Sequence, residues 1–177
     1  AVAAVKVTLD RKKASLGDVI FASTPSKSYA RGVASILHRG LTADASLYLH
    51  PAESGQGMSE IKAVASGQLE FSISIIGSAP DTTEPGHTAF SHLGVNPIDK
   101  AIKVIGALYQ LNEARNLRIN HKKIKKVVGR STNLHISNIT SNDEDRLSRL
   151  NEICTFGGAI SFPPGEDLSQ VKEEIEN

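Results

Sequence analysis

The sequence predicts an α+β fold: a mixed or antiparallel sheet of about six strands, covered on one side by helices. Three observations lead there. Leu69, Phe71, Ile73 and Ile75 alternate with Glu70, Ser72 and Ser74, the pattern of a strand with one buried and one wet face. Ile98, Ile102, Ile105, Leu108 and Tyr109 recur at helical spacing. Strand and helix patterns follow one another in mixed order, without the regular β–α–β alternation of a parallel sheet.

Taken in order, Val5, Val7 and Leu9 mark a first strand over 3–9, and Val19–Ala22 a second, after the Gly17-Asp18 turn. Thr24-Pro25-Ser26 starts a helix with Ser26 as its cap; Tyr29, Val33, Ile36 and Leu37 form its apolar face and Gly40 stops it. Residues 46–50 read as a strand closed by Pro51. Met58, Ile61 and Ala65 share a helical face ended by Gly67, and the strand over 69–75 follows. Pro80, Pro85, Gly86, Gly94 and Pro97 make 77–97 a long loop. A strong helix runs from Asp99 to Asn112. Leu117, Ile119 and His121 then alternate as a strand, continued by Ile124, Val127 and Val128 and broken by Gly129. Residues 133–139 form a further strand. Ser141-Asn142-Asp143 caps a helix with Leu147, Leu150, Ile153 and Cys154 facing inward. Beyond Pro163-Pro164-Gly165, a short acidic helix carries only Leu168, Val171 and Ile175, so its docking is expected to be marginal and deletion of 165–177 to leave the fold intact. The organisation expected is one compact domain over 1–177, with the long loop 77–97 and an acidic C-terminal helical segment 141–177.

Composition excludes several classes. With 40% apolar and 22% charged residues, the chain is neither disordered, collagenous nor a disulfide scaffold. Its core must be aliphatic, since 5% of residues are aromatic and Trp is absent. Cys154 is the one cysteine, which rules out an intrachain disulfide and a thiolate metal cluster and suits a small buried apolar residue. No run reaches the roughly 18 apolar residues of a membrane span. Lys6, Asp10, Arg11, Lys12 and Lys13 near the start are unlike a signal peptide, so an intracellular place, cytoplasm or virion, is favoured without being fixed.

The net charge of +1 conceals an asymmetry: residues 1–140 hold 17 Lys/Arg against 10 Asp/Glu, and residues 141–177 hold 3 against 9. Arg115, Arg118, Lys122, Lys123, Lys125, Lys126 and Arg130 form the densest basic run, with no acid between 115 and 130. Such a run neutralises phosphates, on nucleic acid or on an anionic lipid surface. The other reading is an edge strand guarded by lysines. No aromatic residue lies in the run, so backbone contact is favoured over base reading. The acidic end is expected to mask this surface.

Residues 53–71, from Glu53-Ser54-Gly55-Gln56-Gly57-Met58 through Gly67-Gln68-Leu69-Glu70-Phe71, resemble the loop–helix–strand of TAXI-type periplasmic solute receptors. That resemblance covers about 20 residues and implies a small-ligand site at Ser54, Gly55, Gln56 and Gly57. The helix at 98–105 with the basic run after it is similar to Alba-type nucleic-acid binders.

His87 and His92 share a loop with Asp81 and Glu84, but the six histidines form no paired metal motif, and no G-x-S-x-G elbow or other catalytic arrangement occurs. No catalytic residue, metal ligand or cofactor is assigned, and a non-enzyme is favoured. The function expected is therefore binding and assembly: a homo-oligomer that contacts nucleic acid or an anionic membrane, in the manner of viral matrix or nucleocapsid-associated structural proteins. A small-ligand-binding domain using Ser54–Gly57 and an enzyme with a scattered site are the alternatives.

Overall fold

The computed structural model of this chain describes residues 6, 7, 10, 17–25, 30–48, 59, 61–141 and 147–177. The chain divides into two compact units, 1–61 and 62–177.

Among the described residues of the first unit, α1 spans Arg31–His38. It ends where the sequence places its stop, with Gly40 at φ 80°, a left-handed conformation that glycine adopts without strain. The expected strands of this unit do not form among the described residues. Lys6 and Val7 are helical, and residues 19–22 and 46–48 are in no ladder. Two or three apolar residues in a row satisfy a strand pattern, but a strand also needs a partner edge. Ser26, Tyr29, His50 and Met58, read as parts of a helix cap, a helix face and a strand, lie outside the described residues.

The second unit is a three-stranded antiparallel sheet with helices, an α+β arrangement as expected, though with three strands rather than about six. The strands are β1 (Gly67–Ile76), β2 (Asn133–Ser141) and β3 (Ile153–Phe162), in spatial order β1-β3-β2. Both outer strands run antiparallel to β3, so β1 and β2 are parallel with β3 inserted between them, a split β–α–β arrangement. In β1 the alternation read from sequence holds residue by residue: Leu69, Phe71, Ile73 and Ile75 turn inward, and Gln68, Glu70, Ser72 and Ser74 turn outward.

The crossover from β1 passes through 77–97, which is pinned rather than loose. Ser78 and Val95 form a bridge, and Gly86–Thr88 bond to the segment before β3 through Leu150 N–H to Gly86 O at 2.7 Å and Thr88 N–H to Ser148 O at 3.0 Å. A short 3-10 helix covers Thr88–Leu93. Next comes α2 (Pro97–Arg118), whose start the sequence dictates. Asn96 Oδ1 accepts from the Ile98 N–H at 3.0 Å, Pro97 supplies a preset φ, and Asp99 lies in the positive first turn.

The strand expected over 117–128 does not form; the segment is two helices separated by 119–121. Residues to Arg118 finish α2, and Lys122–Val128 form α3, capped by His121 and ended by Gly129 at φ 86°. Lysine is a good helix former, and the His121 cap and the left-handed Gly129 give this segment the two ends of a helix.

The helix expected to carry Leu147, Leu150, Ile153 and Cys154 is also different. Leu147 and Leu150 lie in a turn region, 97% exposed and half-buried respectively, whereas Ile153 and Cys154 open β3. The final helix, α4 (Leu168–Glu176), is docked. Asp167 caps it, Val171 is 1% exposed, and Glu174 reaches a buried arginine. The tail is thus part of the core, contrary to its expected dispensability.

The core joins Ala101 and Leu108 of α2, Leu134 of β2, Cys154, Phe156 and Ile160 of β3, and Val171 of α4, with Phe71, Ile73 and Ile136 packed against it. Gly158 of β3 is required there. A Cβ would stand 2.3 Å from the His135 carbonyl oxygen and 2.9 Å from Phe71 Cζ.

Candidate functional site

The seven basic residues singled out from sequence differ in burial and pairing. Arg115 is fully buried. Its guanidinium donates to both carboxylate oxygens of Glu166 at 2.9 Å, to Glu174, and through Nε to Thr132 Oγ1 at 3.3 Å. Arg118 pairs with the other oxygen of Glu174, and Arg130 with Glu113 at 3.0 Å. Glu166 and Glu174 come from the acidic end of the chain, so the charge asymmetry seen in the sequence is partly an internal neutralisation. Lys122, Lys123, Lys125 and Lys126 remain on the exposed side of α3. Sequence spacing could not separate the two groups, because the acidic partners of Arg115 and Arg118 lie 51 to 59 residues away and that of Arg130 lies 17 away.

Ser54, Gly55, Gln56 and Gly57 lie outside the described residues. His87 accepts the Ala89 N–H on Nδ1 at 3.1 Å and so caps the 3-10 helix. Among the described residues, no group of three or more His, Cys, Asp or Glu is placed to hold a metal. Cys154 is fully buried, and burial pushes its thiol above the usual range. No described helix is long and apolar enough to cross a membrane.

What the second unit does offer is a free edge beside an apolar stripe. In the described structure β2 pairs only with β3, which leaves its other side unpaired. A bulge interrupts its register between Ile136 and Asn138, and Ile139, opposite Phe156, is 52% exposed. Helix α2 packs across the sheet. Its inward face is Ile98, Ala101, Val104, Ile105, Leu108 and Leu111, continued by the buried polar Asn112 and Arg115.

Ile102 and Tyr109, which helical spacing assigned to the core, instead face outward at 61% and 46% exposure. Gly106 lies between them on the same face, where an added Cβ would meet nothing within 4 Å. Leu117, one turn further along this face than Glu113, is 90% exposed. The sequence did hold the signal. Ala101, Val104 and Leu111 shift the centre of the apolar arc away from Ile102 and Tyr109, which fall at its edge.

The family model described as Peptidase dimerisation domain (M20_dimer) matches residues 82–177, more than half of the chain. No curated protein matches it. The family match overturns the expectation of a viral matrix or nucleocapsid-associated structural protein contacting nucleic acid or an anionic membrane. Arg115, Arg118 and Arg130, held in internal ion pairs, give part of the physical reason. The match begins at residue 82 and so does not reach Ser54, Gly55, Gln56 and Gly57, on which the small-ligand alternative rested. The expected homo-oligomer agrees with a dimerisation domain.

Proposed function

This chain belongs to the peptidase dimerisation domain family, and from that premise we propose that its second unit is a self-association module that joins two copies of a peptidase chain. The observation that carries the reading is the free edge of β2 together with the outward stripe of Ile102, Gly106 and Tyr109. Two strands related by a two-fold axis meet antiparallel, edge to edge, and extend one sheet across both copies. The apolar stripe on α2 then meets its own equivalent, with Gly106 allowing close approach. Each apolar side chain withdrawn from water contributes about 25 cal/mol per Å2, and each backbone bond made across the edge adds a net 0.5–1.5 kcal/mol or so. A stable interface of this kind buries about 1,200–2,000 Å2, an area that requires the strand edge and the helix stripe together.

Analytical ultracentrifugation tests the proposal. The parent chain is expected to sediment as a dimer at micromolar concentration. The double variant Ile102→Glu, Tyr109→Glu is expected to be monomeric with an unchanged far-UV spectrum, since both positions are solvent-facing in one copy. A double variant that remains fully dimeric would show that the stripe is not the interface.

A further inference from the structure

We propose that an open cavity of about 490 Å3 at the start of β1 is a binding site for a small organic carboxylate, an anionic head on a short aliphatic body. The cavity lies between the segment leading into β1, the turn after β3 and the start of α3, and is separate from the β2 edge. Its walls combine two chemistries. Val64, Ala65 and Pro164 are apolar, while His121, Lys122 and Lys123 are basic, and no acidic residue lines it. The volume falls in the range of roughly 300–1,000 Å3 usual for small-ligand sites, which pair apolar walls with a few convergent polar groups.

The cationic groups here are available. Arg115, Arg118 and Arg130 are neutralised by Glu166, Glu174 and Glu113, whereas Lys122 and Lys123 enter no ion pair among the described residues. His121 is held in place from two sides. Its backbone N–H donates to Ser131 Oγ at 2.8 Å, and its Nδ1 accepts from the Ile124 N–H at 3.4 Å. With Nδ1 an acceptor, the ring proton of the neutral form sits on Nε2, which makes that nitrogen a donor. Two ammonium groups and an imidazole N–H suit a carboxylate through charge-assisted hydrogen bonds. The apolar wall beside the cations suits an amphipathic anion, whose aliphatic body it can cover. Lys125 and Lys126, on the same short helix, are not part of the lining.

Hexanoate is the probe, with hexanol and acetate as controls, read by amide chemical shifts in the full chain. Hexanoate is expected to give saturable shifts at Val64, Ala65, Lys122 and Lys123. Acetate should bind at least tenfold more weakly, and hexanol should leave Lys122 and Lys123 unmoved. Lys122→Gln with Lys123→Gln is expected to weaken hexanoate at least tenfold; both positions are exposed, so the fold is retained. Equal shifts from hexanol, undiminished binding to the double variant, or no shift at these amides would each overturn the proposal. The sedimentation of the parent is independent of all three outcomes, so this site and the dimer reading fail separately.

Discussion

Replacing Arg115 by Met removes a cation that lies wholly inside the fold. The methionine fills much of the same volume, so the chief effect is electrostatic. Glu166 and Glu174 are left facing the space of a lost countercharge, with side chains only 20% and 28% exposed. Thr132 Oγ1 loses the Nε donor but keeps its own bond to the Ser161 carbonyl at 2.7 Å. Breaking a buried ion pair by removing one partner costs about 3–5 kcal/mol. Both carboxylates retain some water and Glu174 retains Arg118, so the lower end, about 3 kcal/mol, is expected. That is a large share of a total stability of about 5–15 kcal/mol. Urea unfolding at fixed protein concentration measures it, with the midpoint shifted and the slope unchanged. The companion variant Arg115→Met, Glu166→Gln, Glu174→Gln removes the stranded charges and is expected to recover most of the loss. A single variant within about 0.5 kcal/mol of the parent, or a triple variant no more stable than the single, would refute the reasoning.

Two further outcomes follow from the core. Asn112 is 5% exposed and its Oδ1 accepts the Leu134 N–H at 2.8 Å, so Asn112→Ala leaves the first inward residue of β2 with a buried unpaired donor. The expected loss is about 1–3 kcal/mol, with faster hydrogen exchange at Leu134; unchanged exchange there would contradict it. The raised thiol of buried Cys154 means that the folded chain holds its proton more tightly than the unfolded chain. Its contribution is therefore present below the unfolded thiol value of about 8.5 and is lost as pH rises through the folded value. Alkylation by iodoacetamide at pH 8 should track global unfolding, and a rate like that of a free thiol would overturn this reading.

The legible parts of the sequence were those whose signal is local. The alternation over 69–75 gave β1 in register, and Asn96-Pro97 and Asp99 marked the start of α2, because caps and pleats are set by neighbours. Gly40 marked the end of α1 in the same way. The central strand β3 was hidden by its own function in the sheet. Gly157, Gly158 and Ala159 carry little hydrophobic signal, yet at Gly158 the sheet has no room for a side chain. The basic run was misread for the opposite reason. Arg115 looks like part of a solvated surface until Glu166 and Glu174 arrive from the far end of the chain, a pairing that only the tertiary fold reveals. The outward stripe was present as an excess of apolar positions on α2, and a core-seeking reading absorbed it.

Gly106 gives that stripe a wider meaning. A glycine in the middle of a long helix weakens it by roughly 0.5–1 kcal/mol relative to alanine, and in one copy nothing blocks the alanine. Judged as an isolated molecule, the helix is therefore suboptimal at this residue. Judged as half of the proposed symmetric pair, it leaves room for a neighbour. In a two-fold assembly each substitution is made twice, and in the dimer proposed above a methyl group at residue 106 of one α2 would meet the same methyl group on the other. Gly106→Ala should accordingly separate two quantities that are usually measured together: the lone fold becomes firmer while the grip between copies loosens. Selection acting on the pair would keep the weaker helix.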